Sequence, residues 1–164
     1  MMNFKIHIPK IWISLLAALA LAVAFLVSPF MNKAEASVSW GQEVTEVGKL
    51  YLGKPYKWGG NTPKAFDASG YTQFIFKTSA AKINLPHSSK EQYKLGKTVA
   101  KKNLMEGDLV FFNTDGKGVS FVGIYLQDGK FLAVTVDKGV SIQTMNGKYW
   151  NDRYVGGKRV LPEY

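Results

Sequence analysis

The chain has 164 residues, enough for one domain, and its 21 Lys and Arg against 12 Asp and Glu give a formal net charge of +9. It has no cysteine, which excludes disulfide bonds and cysteine-ligated metals. We expect neither a metal nor a cofactor, and a fold that depends on its hydrophobic core alone.

The first 36 residues have the features of a secretory signal peptide. Lys5 and Lys10 precede an apolar run over residues 11–27, and Ala34 and Ala36 are small residues two positions apart. This order predicts cleavage after Ala36. The apolar run also reaches the minimum of about 17 residues that can span a bilayer, so an uncleaved membrane anchor is the alternative. In both cases we expect a protein that is secreted and cell wall-associated, or anchored facing outside.

The remaining residues, 37–164, are predicted to form the folded domain. They contain 18 basic and 11 acidic side chains, a net charge of +7. An excess of this size favours binding to polyanions, which outside a bacterium are anionic wall polymers and lipids. Nucleic acid is not expected, because the chain is predicted to be exported and its lysines are spread out. Charge that serves only solubility is the alternative.

Three helices are predicted in the first half of this domain. Apolar residues at helical spacing predict a helix over residues 42–52, which Gly53 and Pro55 end. A second helix is predicted to begin at residues 67–69 and to run to residue 80. Ser88 and Glu91 have capping-box spacing and predict a short helix to Lys94.

The second half has the patterns of β-strands. Strands are predicted over residues 108–112, 119–126, 130–136, 140–144 and 155–160. Asp128 and Gly129 predict a hairpin turn. Helices that precede an antiparallel sheet indicate an α+β domain.

Several segments resemble those of one known family. The stretch from Gly53 to Gly60, followed by Phe66-Asp67-Ala68-Ser69-Gly70, resembles the active-site segment of the NlpC-type bacterial cell-wall peptidases. Further landmarks of this papain-like family follow in family order over residues 85–160, so the resemblance extends over residues 43–160. It implies N-terminal helices packed on an antiparallel sheet of about five strands.

The resemblance also implies that the catalytic residues are replaced. The family has its nucleophilic Cys where this chain has Ala68, and its general-base His where this chain has Phe121. The position of the orienting residue falls on Ala133, or on Val134 in the alternative register. A cysteine–histidine mechanism needs a thiolate and an imidazole base, and these positions supply neither. The sequence therefore predicts a catalytically inactive relative, a pseudoenzyme.

Six other residues are candidates for a substrate groove, and each has an alternative role. Tyr56 and Trp58 line a groove or pack in the core, and Asp67 is more simply the N-cap of a helix. His87, where resembling proteins commonly have Arg, is expected at the mouth of the groove. Ser69 should hydrogen-bond the helix start, and the spacing favours neither Ser69 nor Ser120 as a nucleophile with a lysine.

We therefore expect an exported, non-catalytic relative of the peptidoglycan endopeptidases. It would bind peptidoglycan stem peptides, muropeptides or a wall-associated protein. One alternative is an active hydrolase with a rebuilt site at Ser69 or His87. Another is a structural interaction module whose apolar cleft at Phe121 takes a side chain of a partner protein.

Overall fold

The structure is a computed structural model that describes residues 40–162. The predicted leader lies outside the described residues, so its cleavage or retention stays a prediction. Within residues 40–162, no helix combines the length and apolar character that crossing a membrane requires.

Four helices occur in the described part of the chain. Helix α2 is central, because its N-cap is Asp67 and it buries Tyr71 and Ile75, which are four residues apart. The short helix after Ser88 begins as the capping box predicts, with Ser88 Oγ accepting the backbone N–H of Glu91 at 3.4 Å. The helices are α1 (residues 40–49), α2 (Ala68–Thr78), α3 (Ser89–Gln92) and α4 (Lys148–Asn151), with one 3₁₀ turn at Lys101–Asn103.

Helix α1 ends three residues earlier than the sequence pattern predicts. Leu50 is exposed, and the chain turns so that Gly53 N–H donates to the carbonyl of Val140 at 2.8 Å. The contact with a strand far along the chain therefore sets this helix end, and periodicity alone could not locate it.

Six strands form one antiparallel sheet in the order β3-β8-β4-β5-β6-β7. Two further short strands, which precede α2 in the chain, pair with each other. The turn at Asp128 and Gly129, with φ of 55° and 70°, joins β5 to β6 as predicted. The strands are β1 (Asn61–Thr62), β2 (Ala65–Phe66), β3 (Lys97–Val99), β4 (Leu109–Phe112), β5 (Phe121–Tyr125), β6 (Lys130–Thr135), β7 (Gly139–Thr144) and β8 (Tyr154–Arg159).

The predicted α+β class is confirmed, although the main sheet has six strands where about five were expected. The additional strand, β3, is a three-residue edge strand that pairs only with β8. Lys97 and Thr98 are exposed, so this strand lacks the apolar alternation on which strand prediction depends.

The main sheet has a buried cluster on each face. Phe111 on β4 packs with Tyr71 and Ile75 on the helical face, and the next residue, Phe112, packs with Trp150 of α4 on the opposite face. Side chains alternate along a strand, so consecutive phenylalanines serve different clusters. Each buried side chain of this size contributes on the order of 1.5–3 kcal/mol. The two clusters fix α2 and α4 on the sheet, and residues of both helices line one cleft.

Candidate functional site

A cleft of about 1040 Å³ lies where the start of α2 meets one end of the main sheet. All six predicted groove residues line it, together with Ala68 and Phe121. The other lining residues are Gly59 (which precedes β1), Gln143, and residues of the loop after β4, the end of β6, the start of α3 and the α4 segment. They are Gly59, Ser88, Ser89, Lys90, Thr114, Asp115, Val119, Val134, Thr135, Val136, Asp137, Gln143, Tyr149 and Trp150.

The carboxylate of Asp67 organises the helix side of this cleft. It caps α2 by accepting the backbone N–H of Gly70 at 2.7 Å, and it accepts the N–H of Gly59 at 2.9 Å. Ser69 Oγ donates to it at 3.1 Å, and His87 Nε2 lies 2.9 Å from Oδ2. With four donors around it and 14% of its side chain exposed, Asp67 fits the predicted role of helix cap. It also holds His87 at the cleft wall.

Ser69 and His87 both hydrogen-bond to Asp67, an arrangement unlike that of a serine hydrolase. A serine nucleophile has to give its proton to the base, so its hydroxyl must face the imidazole. Here the Ser69 hydroxyl and His87 Nε2 both hydrogen-bond to the carboxylate of Asp67, which can only accept hydrogen bonds. In this arrangement the three groups cap and brace the start of α2.

Ser120 is held in the loop before β5. Its Oγ accepts the backbone N–H of Thr114 at 2.8 Å and lies 2.9 Å from Thr114 Oγ1. These bonds close the loop that follows β4, so the cleft-lining hydroxyl of Ser120 has a local structural role.

The positions that the resemblance assigns to nucleophile and base carry apolar side chains on different walls of the cleft. Ala68 is the first residue of α2 and packs against the helical-face cluster. Phe121 is half-buried, and its ring centroid lies 4.9 Å from that of Trp150 and 6.2 Å from that of Phe112. Phe121 therefore forms a wall and leaves the cleft open.

The two candidates for the orienting position lie on opposite faces of the sheet. Ala133 is fully buried in the cluster that Phe121 packs against, whereas Val134 packs in the helical-face cluster. Ala133 is thus on the same face as Phe121, as the first register supposes. The assignment of Ala68, Phe121 and Ala133 to catalytic positions stays a prediction.

The aromatic residues of the cleft divide between its rim and the core. The side chain of Trp58 is 85% exposed and lies at the rim, so its core alternative is wrong. Tyr56 is half-buried, and it both lines the cleft and packs against the helical-face cluster. It therefore contributes to the groove and to the core. Tyr149 is 52% exposed at the rim, and Trp150 is buried and donates to Gln143 Oε1 at 3.3 Å.

Two cleft carboxylates were not predicted from the sequence. A hydrogen bond from the backbone N–H of Lys117 holds the pKa of Asp115 below its usual value, and the hydroxyl of Thr135 does the same for the pKa of Asp137. Both are therefore ionised at neutral pH. Each is an exposed Asp in a loop, a pattern that carries no local signal of a site. Within residues 40–162, no group of three or more His, Asp or Glu side chains is arranged to hold a metal ion.

Comparison with known sequences points to one family. The family model described as the NlpC/P60 family matches residues 53–159. The chain is 37% identical over 115 residues to the murein DD-endopeptidase MepH of Escherichia coli, covering 67% of this chain and 42% of that protein. It is 42% identical over 110 residues to the probable endopeptidase p60 of Listeria monocytogenes, covering 67% and 22%. The chain thus spans less than half the length of both curated relatives.

Comparison with solved structures agrees. A crystal structure of an NlpC/P60 family protein from Bacillus cereus superposes with a TM-score of 0.70 at 36% identity, covering 74% of this chain and 40% of that one. RipD of Mycobacterium tuberculosis is described as a non-catalytic NlpC/p60 domain protein adapted to a peptidoglycan-binding function. It superposes with a TM-score of 0.61 at 28% identity, covering 74% of this chain and 97% of that one.

Proposed function

The chain belongs to the NlpC/P60 family, and we propose that it is an exported, non-catalytic member that binds peptidoglycan stem peptides in its cleft. The observation that carries this proposal is that the cleft is open while the residue at the start of α2 is Ala68. A methyl group cannot attack a carbonyl, but it leaves room for a ligand to lie against the helix start.

Phe121, on the wall of the cleft that the main sheet forms (the sheet wall), supports the same conclusion. Its ring packs against Trp150, and a phenyl ring can neither accept nor donate a proton. The described residues still offer a binding surface, with an exposed indole at Trp58 and polar groups on α2 and α3. Such a cleft retains the parts that bind and lacks the parts that transfer an acyl group.

Relatives indicate the class of ligand. Two curated relatives are named as endopeptidases, one of them of murein, and RipD is described as non-catalytic and peptidoglycan-binding. A family member without a nucleophile would bind the same stem peptides without cleaving them. It could shield them from active hydrolases or compete with those enzymes for substrate.

The charge of the domain fits a location at the cell wall. Residues 40–162 contain 18 Lys and Arg against 10 Asp and Glu. This excess would attract the domain to anionic wall polymers and leave the cleft to select the peptide. A signal peptide over residues 1–36 would bring the chain there.

The test is to incubate the purified protein with sacculi and defined muropeptides. Sedimentation measures binding, and mass spectrometry detects new products. Binding without products is the expected result, and absence of any binding to sacculi or muropeptides would overturn the proposal.

A rebuilt hydrolase is the second candidate, because Asp67, His87 and Ser69 do lie together in the cleft. Its signature would be products that disappear in both Ser69→Ala and His87→Ala. Products from a preparation of the parent protein that persist in both variants would indicate a contaminating enzyme.

A further inference from the structure

The charge of the cleft is opposite to the charge of the domain around it. Among the residues that line it are three aspartates, Asp67, Asp115 and Asp137, but only one lysine, Lys90, and one histidine, His87. Over residues 40–162 the basic side chains outnumber the acidic ones by 18 to 10. A surface that attracts anions thus surrounds a cleft that favours a cation.

Sheet topology brings two of these carboxylates to the same end of the main sheet. Asp115 follows β4 and Asp137 follows β6, while β5 lies between these strands and runs antiparallel to both. The loops after β4 and β6 therefore leave the sheet at the end where Phe121 begins β5. Both aspartates line the cleft there, and both are exposed.

The three aspartates differ in what they have left to offer a ligand. Asp67 already has four hydrogen-bond donors around it. Asp115 accepts the backbone N–H of Lys117 at 2.9 Å, and Asp115 and Asp137 are both exposed, so their carboxylate oxygens are more accessible to a ligand than those of Asp67, whose side chain is 14% exposed. The charged neighbours of this pair are Lys90, which attracts Asp115, and Lys138, which adjoins Asp137.

Exposed aromatic surface provides an independent indication of a cationic ligand. The faces of aromatic rings attract ammonium and guanidinium groups. The indole of Trp58 is open at the rim, and the ring of Tyr149 already has the guanidinium of Arg153 at 4.0 Å from its centroid. Between the rim and the loops, Phe121 and Val134 provide apolar wall for methylene groups.

We propose that the cleft recognises a long side chain that ends in a free primary ammonium group, which Asp115 and Asp137 bind. This inference rests on the proposed function and names the part of the stem peptide that is selected, the uncapped amine of a diamino acid. An amine that has been acylated, as in a cross-link, carries no charge. The protein would therefore prefer stem peptides that are not cross-linked through that amine.

The experiment compares two synthetic stem tripeptides that differ at one atom group. One has lysine with a free side-chain amine as its third residue, and the other has the same lysine Nε-acetylated. Isothermal titration calorimetry with the intact protein measures both affinities in low and in moderate salt. We expect the free amine to bind about 5–20-fold more tightly, and the ratio to shrink as salt screens the charges.

Variants locate the effect. Asp115→Asn and Asp137→Asn should each weaken binding of the free amine about fivefold and leave the acetylated peptide unchanged. Asp128→Asn is the matched control. Asp128 is an exposed aspartate outside the cleft with a φ of 55°, a conformation that asparagine tolerates, and its variant should bind both peptides as the parent does.

The outcomes separate this inference from the function on which it rests. Equal affinity for the two peptides would overturn the ammonium site and leave stem-peptide binding intact. A preference for the free amine that survives both cleft variants would also overturn the assignment to Asp115 and Asp137. Binding of neither peptide would overturn this inference, and only a failure on sacculi and muropeptides as well would extend that to the proposed function.

Discussion

The two walls of the cleft, one at the start of α2 and one at the main sheet, differ in whether their central side chains are polar or apolar. The helix wall keeps a hydrogen-bonded set in which Asp67 joins Ser69, His87 and two backbone N–H groups. On the sheet wall, the side chain of Phe121 is apolar and packs against Trp150. The start of a helix has unpaired N–H groups that need an acceptor whether or not catalysis occurs. A strand side chain has no such demand, so an apolar residue fits at Phe121 at no cost to the fold.

The largest effect should come from crowding the helix wall. In Gly70→Ala the new Cβ would lie 2.1 Å from the carbonyl oxygen of Gly60 and 2.8 Å from His87 Nε2. Backbone has to move, and we expect a loss of about 3 kcal/mol or more in the free energy of unfolding. Urea denaturation measures it. Gly147→Ala is the control, since its Cβ has no neighbour nearer than 3.6 Å, and a similar loss there would contradict the steric reason.

Removing the carboxylate of the helix wall should have the next largest effect. Asp67→Ala deletes the cap of α2 and leaves Gly59 N–H, Ser69 and His87 without their acceptor. We expect a loss of about 2–3 kcal/mol, measured by thermal and urea unfolding. Asp152→Ala, which removes an exposed carboxylate paired with Lys148 at a residue with ordinary helical backbone angles, should cost clearly less. Equal losses would mean that the polar set contributes nothing particular to the fold.

Placing a polar residue at Phe121 should have a moderate cost. Phe121→His replaces a ring that packs on Trp150 and Phe112, and we expect a loss of about 1–2 kcal/mol in unfolding free energy. The same variant distinguishes two of the proposed functions in a binding assay. If the cleft is a docking site for a partner protein, Phe121→His should lose binding to the partner and keep its binding to sacculi. If the cleft binds stem peptides, the affinity of the variant for muropeptides should differ from that of the parent.

The smallest effect concerns Tyr154, which packs on Phe112 in the buried cluster that also contains Trp150. Burial raises its pKa to about 12. A raised folded-state pKa contributes stability that is complete below the unfolded value near 10 and is lost as the pH rises toward 12. Tyr154→Phe removes a buried hydroxyl that has no hydrogen-bond partner. The variant should match the parent at pH 7 and be the more stable of the two at pH 11, as urea unfolding at both pH values would show. A parent that is the more stable one at pH 11 would contradict this assignment.

Much of the fold could be predicted because its signals are local. The cap at Ser88, the turn at Asp128 and the apolar runs of the central strands depend on neighbouring residues, and all are confirmed. The missed elements are short or polar. Strand β3 has exposed Lys97 and Thr98, and α4 is a single turn whose aromatic residues pack against distant partners.

The site was only partly accessible to sequence reasoning. The six groove candidates all line the cleft, because the family resemblance placed them there. Asp115 and Asp137 were missed, since nothing in a loop sequence tells which other loop it meets. The exposure of Trp58 could not be predicted either, because an aromatic residue beside two glycines fits a core or a rim equally well.

The sequence by itself determined that this NlpC/P60 domain has no thiol nucleophile, that its second helix begins at a capping aspartate and that helices precede an antiparallel sheet. These properties follow from residue identity and from order along the chain. Only the tertiary structure decided that His87 meets Asp67 across 20 residues, that Phe121 packs on Trp150 and that two loop aspartates share one cleft. The reason is that strand pairing and helix packing bring together residues whose sequence separation carries no information about their distance.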